Sequence, residues 1–238
     1  MNTFNQFFFG IYPYICLAVF FLGSLMRFDR EQYTWKSDSS ELLYRGQLRL
    51  GSVLFHVGVL AVFFGHLFGL LTPLWFWEFI GVSHQAKQIT AMTAGGIFGS
   101  AALAGLIILI RRRFKIERIS VNSTWRDKLV LVWLLITLLL VLVWIFITLA
   151  LGLSTIFVSM GHLDGEEMVK LMQWAQHIVT FRGGAAGYIE DANFLFKLHI
   201  FMGMTFFFIF PFTRMVHVWS GFASVFYIGR AWQLVRRR

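Results

Sequence analysis

A chain of 238 residues that is 58% hydrophobic and only 14% charged leaves no room for a soluble domain beside its apolar runs. Its single cysteine, Cys16, excludes an internal disulfide, a cysteine-rich iron–sulfur or zinc site and a C-x-x-C-H attachment motif. The net charge of +9 is carried by basic residues that flank the apolar runs, which points to membrane topology rather than to nucleic acid.

The first run, 7–26, carries no charge before Arg27. It lacks the basic leader and small-residue cleavage site of a signal peptide and reads as a retained span. The second, GSVLFHVGVLAVFFGHLFGLLT over 51–72, would form roughly 33 Å of helix, enough to cross a bilayer core. His56 and His66 interrupt it, and ionisable side chains inside such a run are costly and generally functional. A short connection with Pro73, Trp75, Trp77 and Lys87 leads to a third span over 89–110. That span is rich in small residues (Gly95, Gly96, Gly99, Ala101, Ala102, Ala104, Gly105), which let a helix or a flat cofactor approach the backbone closely. A fourth span lies within 129–158 and is longer than a crossing needs, so tilt or an extended end is expected. In the connection 159–193, Met168, Leu171, Met172, Ala175, Ile178 and Val179 recur at helical spacing. They predict an amphipathic helix lying on the leaflet or capping the bundle, ended by Gly183 and Gly184. The fifth span covers 194–216, and a basic tail, 219–238, follows it. The expected fold is an all-α integral membrane protein of five transmembrane helices forming one domain over 1–238.

Charge orients it. Segments 27–50, 111–128 and 214–238 contain 5, 7 and 5 Lys/Arg, 17 of the 21 in the chain. The alternate connections hold only Lys87, Lys170, Arg182 and Lys197. The positive-inside rule then places the N-terminus outside, the C-terminus inside and the amphipathic helix on the outer face. His56 falls near the inner face and His66 about 15 Å further out at 1.5 Å per residue. In the fifth span, His199 falls near the outer face and His217 at the inner one. Depth therefore pairs His56 with His217 and His66 with His199.

Ten residues separate the histidines of the second span and eighteen those of the fifth, rises of roughly 15 and 27 Å in straight helices. A kink at Pro211, helix tilt and side-chain reach are expected to absorb the difference. Eighteen residues is five whole turns, so His199 and His217 are expected on one face. Two histidines per site, set far apart in depth, suit the two axial positions of a haem better than a four-ligand zinc site. Gly58, Gly65, Gly69 and Gly203 offer flat surface beside them. His84, His162 and His177 lie in outer connections and are read as solvated or capping residues.

The chain resembles the cytochrome b (gamma) subunit family of membrane-bound respiratory nitrate reductases. The resemblance rests on FFFGIYPYICLAVFFLGS and QYTWKSDSS, then SVLFHVG, GHLFGLLTP and AMTAGG. It continues through LDGEEMVKLMQWAQ, IVTFRGGA and LHIFMGMTFFFIFPFTRMVHVWS, and departs from the family pattern after Ser220.

The resemblance implies a prokaryotic cytoplasmic-membrane protein with two non-covalent b-type haems, the inner held by His56 and His217, the outer by His66 and His199. It implies a site near the outer haem that oxidises quinol (menaquinol among the substrates) from the membrane pool. Electrons would then pass through the outer and inner haems to an iron–sulfur subunit and on to a molybdenum subunit that reduces nitrate. Lys87 falls on the family's quinol-site lysine; on residue grounds alone it also reads as a snorkelling interfacial lysine. Gly65, beside His66, would leave room for the quinol ring. Arg111 and Arg112 are candidate partners of the inner-haem propionates. Two alternatives stand beside this reading. One is a related cytochrome b serving a sulfite-, heterodisulfide- or nitrite-linked complex. The other is a haem-free anchor or transporter using histidines for protons.

Overall fold

A computed structural model describes residues 3–30, 45–115, 146–161 and 164–219. Its elements in order are α1 (Thr3–Arg30), α2 (Arg45–Leu71), α3 (Leu74–Phe79), α4 (His84–Lys115), α5 (Phe146–Met160), α6 (Glu166–Val179) and α7 (Phe194–Ile209). Three 3-10 turns follow α6 and α7: Ala185–Ile189, Phe210–Phe212 and Arg214–Val216. Among the described residues no strand occurs, and four helical segments are long and apolar enough to span a membrane: Thr3–Arg30, Gly46–Leu71, His84–Leu109 and Phe194–Phe212. Of the expected fourth span, Phe146–Met160 is helical and 129–145 lies outside the described residues, as do 220–238 of the tail.

Helices α1 and α4 overrun their expected limits at both ends and α2 at its start, because polar residues at the ends of an apolar run can stay helical in the interfacial zone. Helix α7 instead stops at Ile209, short of the expected 216. Within α1 a π-helical turn, Phe7–Ile11, contains Phe9, whose carbonyl accepts from the Trp174 indole N–H at 2.9 Å. Lys87, expected in a connection, stands in the first turn of α4.

Helices α2 and α4 pack along one another. Small residues set the spacing: a Cβ on Gly58 would come within 2.6 Å of the Ala102 nitrogen and the Phe98 carbonyl, and one on Gly105 would collide with the Phe55 backbone. Ala102 and Gly105 of the third span thus serve the crossing with α2, and Gly58 faces α4 rather than the histidines. By contrast, a Cβ on Gly65, Gly69, Gly95 or Gly203 would meet nothing within 4 Å.

Helix α6 caps one end of the bundle. Met172, Trp174, Ala175 and Ile178 are buried, while Val179, expected on the same stripe, is 44% exposed. Trp174, Ala175 and Ile178 join Phe9, Ala185, Ala186, Ile189 and Ala192 in one apolar cluster. Besides the Trp174 bond, Gln176 Nε2 donates to the Leu70 and Thr72 carbonyls, both at 3.1 Å, and so terminates α2. These bonds satisfy carbonyls that a helix end leaves over.

The helix stops at Val179, earlier than the glycines at 183 and 184 suggested. Phe181 takes the left-handed conformation (φ 56°), with Phe181 N–H bonded to the Ile178 carbonyl and Arg182 N–H to that of His177 at 2.8 Å. That is a Schellman motif with phenylalanine in the place glycine usually takes. Its ring stacks on Tyr14 at 5.6 Å, an interaction glycine would lack.

Candidate haem and quinol site

The four membrane histidines come together in two pairs. The His66 and His199 ring centres are 6.0 Å apart, toward the α6 end, and those of His56 and His217 are 6.2 Å apart, further along α2. Crossed pairs do not form.

On α2 both imidazoles are aimed by their own helix. His56 Nδ1 lies 2.8 Å from the Ser52 carbonyl and His66 Nδ1 2.8 Å from the Val62 carbonyl, each one turn back. A carbonyl can only accept, so Nδ1 is the donor in both rings, and in the neutral imidazole Nε2 then keeps its lone pair. That is the tautomer a metal-ligating histidine needs, with the second nitrogen locked by a backbone oxygen.

Their partners are placed by different means. His199 stands within the regular helix α7, and Gly152 of α5 lies against its ring: a Cβ there would come within 2.9 Å of His199 Cε1. The backbone of Thr148, one turn earlier on α5, also approaches this ring. His217 lies past a break, so the expectation of one straight face through five turns fails. Helix α7 ends at Ile209, Pro211 sits in the 3-10 turn Phe210–Phe212, and Thr213 is extended (φ −115°, ψ 175°) before the chain turns again at Arg214–Val216. Proline lacks the N–H that would continue the helix. Thr213 Oγ1 donates to the Phe210 carbonyl at 2.8 Å and accepts from Met215 N–H at 3.2 Å, closing one turn and opening the next. The corner fits because α1 presents Gly23, where a Cβ would lie 2.7 Å from Pro211 Cβ, and because Phe20, Phe210 and Val216 pack together.

The pairs fit axial ligation of a haem iron. Two imidazoles bound from opposite sides through metal–nitrogen bonds of about 2 Å place their ring centres about 6 Å apart. Both observed separations match. The open ground at Gly65, beside His66, and at Gly203, one turn from His199, leaves flat surface next to that pair. Among the described residues no group of three or more His, Cys, Asp or Glu converges.

Lys87 is not a snorkelling residue, for it is only 7% exposed. Its Nζ donates to the Met172 sulfur and lies 4.6 Å from the centre of the Trp77 ring. Met172 and Gln176 are one turn apart on α6, so α6 gathers Lys87 and the α2 end, which carries His66, at the same end of the bundle. Arg111 is exposed near the opposite end of α4; Arg112 belongs to the same helix, and its side chain lies outside what is described.

The remaining histidines are tied to surface groups. His84 lies 3.9 Å from Glu78, and His177 contacts the Gly183 carbonyl at 3.1 Å and Tyr188 Oη at 3.3 Å. His162 lies outside the described residues. Lys170 pairs with the half-buried Glu167 at 3.0 Å, which raises the lysine pKa. Sequence reasoning missed Gly23, Gly152, Thr213, Met172 and Trp77 as residues around the sites. Only Thr213, a hydroxyl two positions after a proline, carried a local signal.

Residues 5–140 and 139–238 match the nitrate reductase gamma subunit family. The chain is 45% identical to the respiratory nitrate reductase 1 gamma chain of Escherichia coli (strain K12) over 238 residues, the whole of both chains. It is 48% identical to the respiratory nitrate reductase 2 gamma chain of the same organism over 235 residues, 98% of this chain and 97% of that one. Identity to the nitrate reductase gamma chain of Bacillus subtilis (strain 168) is 36%, over 98% of this chain and 99% of that one. With its apolar helices and these full-length relatives, the chain is a multi-pass bacterial cytoplasmic-membrane protein that belongs to the nitrate reductase gamma subunit family.

Proposed function

We propose that this gamma subunit is a di-haem b-type quinol oxidase module that feeds a nitrate-reducing partner. The observation that carries the reading is the pairing of His66 with His199 and His56 with His217 at 6.0 and 6.2 Å. Five spans, with the N-terminus outside and the C-terminus inside, put the first pair near the outer face and the second near the inner one.

His66 and His199 would hold one haem, His56 and His217 the other. When bound, the two haems supply one-electron stations at two depths, linking quinol near the outer face to the iron–sulfur and molybdenum subunits inside. The residues of this chain orient and exclude. Ser52 and Val62 carbonyls hold the two α2 imidazoles so that Nε2 is the ligand. Lys87 would donate to a quinol oxygen, and the bare backbone at Gly65 would accept the face of the ring. Arg111 and Arg112, near the other end of α4, would pair with the inner-haem propionates. Release of quinol protons on the outer side would contribute to the membrane potential.

A redox difference spectrum of membranes containing the assembled complex tests this, with quinol as reductant and nitrate as oxidant. About two b-type haems per chain should be reduced by quinol and reoxidised by nitrate. A chain without haem, or haems that quinol does not reduce, would overturn the reading.

A further inference from the structure

Two buried donors stand together at the α6 end of the bundle. Lys87 Nζ is spent on a thioether sulfur, a weak acceptor. The Trp77 ring lies 4.6 Å away, and its Nε1–H, sealed from solvent, has no acceptor among the described residues. Folded proteins seldom leave a buried N–H without an acceptor, and a ligand oxygen is one way to complete it. Trp77 belongs to the short helix α3, whose neighbours Trp75 and Phe79 are 65% and 82% exposed. In a membrane, those side chains lie at the interface where amphipathic aromatic groups settle, and an apolar tail could pass beside them.

We infer that Trp77 is a second ligand-binding donor: its Nε1–H and the Lys87 ammonium together hold one ring oxygen of the quinol, and of the quinone formed from it. A carbonyl or hydroxyl oxygen has two lone pairs and accepts both bonds. The ammonium leaves the Met172 sulfur for the better acceptor, and the indole gains the partner it lacks. This rests on the proposal that Lys87 contacts quinol, and extends it to a residue outside the histidine-bearing helices.

The test uses the assembled complex in membranes, with a ubiquinol or menaquinol analogue as donor, and compares Trp77→Phe, Lys87→Ala and the double variant. Trp77→Phe keeps the aromatic body and removes the N–H. It is expected to raise the KM for quinol about three- to tenfold, the size of one lost hydrogen bond, with both haem spectra unchanged. In the Lys87→Ala background the same change should raise KM less than twofold, because the two donors act on one oxygen. A Trp77→Phe enzyme with unaltered KM, or one whose effect multiplies fully in both backgrounds, overturns the inference and leaves the quinol site intact. Lys87→Ala with unaltered quinol kinetics instead overturns the quinol reading and the inference with it. If Trp77→Phe fails to assemble, benzothienylalanine at position 77 decides, since it keeps the indole shape and replaces only the N–H.

Discussion

The two histidine pairs have nearly equal separations, 6.0 and 6.2 Å, reached by opposite structural means. At the α6 end, His199 sits inside an unbroken helix, and α6 is stapled to α1 and α2 by Trp174 and Gln176. At the other end, His217 is brought level only because the chain breaks at Pro211 and restarts at Thr213. Eighteen residues of straight helix could not match ten on the facing helix. Regularity places one ligand and interruption the other. Perturbations of helix packing should therefore strike the first pair directly, and perturbations of the corner should strike the second.

The largest separation of the two is expected from His66→Ala or His199→Ala. Either should remove the haem near the α6 end and abolish nitrate reduction by quinol, while the other haem persists in the optical spectrum. Gly152→Val comes next. Its side chain would occupy the place of His199 Cε1, so the ring must turn, and the same haem should be lost or become high-spin by EPR. Gly23→Val is the matching probe of the corner: it forces Pro211 outward at a cost of about 1–3 kcal/mol, and should alter the spectrum of the His56/His217 haem alone. Thr213→Val removes both bonds that join the two turns, a loss of about 1–2 kcal/mol, and should shift the potential of that haem in a redox titration without removing it. Gln176→Leu should leave both haems in place. It frees the Leu70 and Thr72 carbonyls, worth about 1–2 kcal/mol, and should appear as faster hydrogen exchange in α6.

Much of this was legible in the residues. Charge asymmetry and the depth of each histidine predicted which two would face each other, because depth is set by position along a helix and needs no tertiary knowledge. The apolar stripe of α6 was legible for the same reason, and three of its six members, Met172, Ala175 and Ile178, are buried. What was not legible depends on neighbours distant in sequence. Gly23 and Gly152 look like any glycine of an apolar helix until Pro211 and His199 are seen against them. From sequence Gly58 looks like flat ground for a cofactor, although its open side belongs to α4. The helix stop at Val179 is not legible, because local preference favours glycine in the left-handed place that Phe181 takes, while the Tyr14 stack makes phenylalanine tolerable. Lys87 looked interfacial, since nothing local shows that Met172, 85 residues away, covers it.

Whether the histidines act as two fixed pairs is tested most directly by haem content in the four single alanine variants of the assembled complex. His66→Ala and His199→Ala should leave one residual haem with identical optical and EPR spectra. His56→Ala and His217→Ala should leave the other. Four different residual spectra, a crossed grouping, or retention of both haems in any variant would contradict the account.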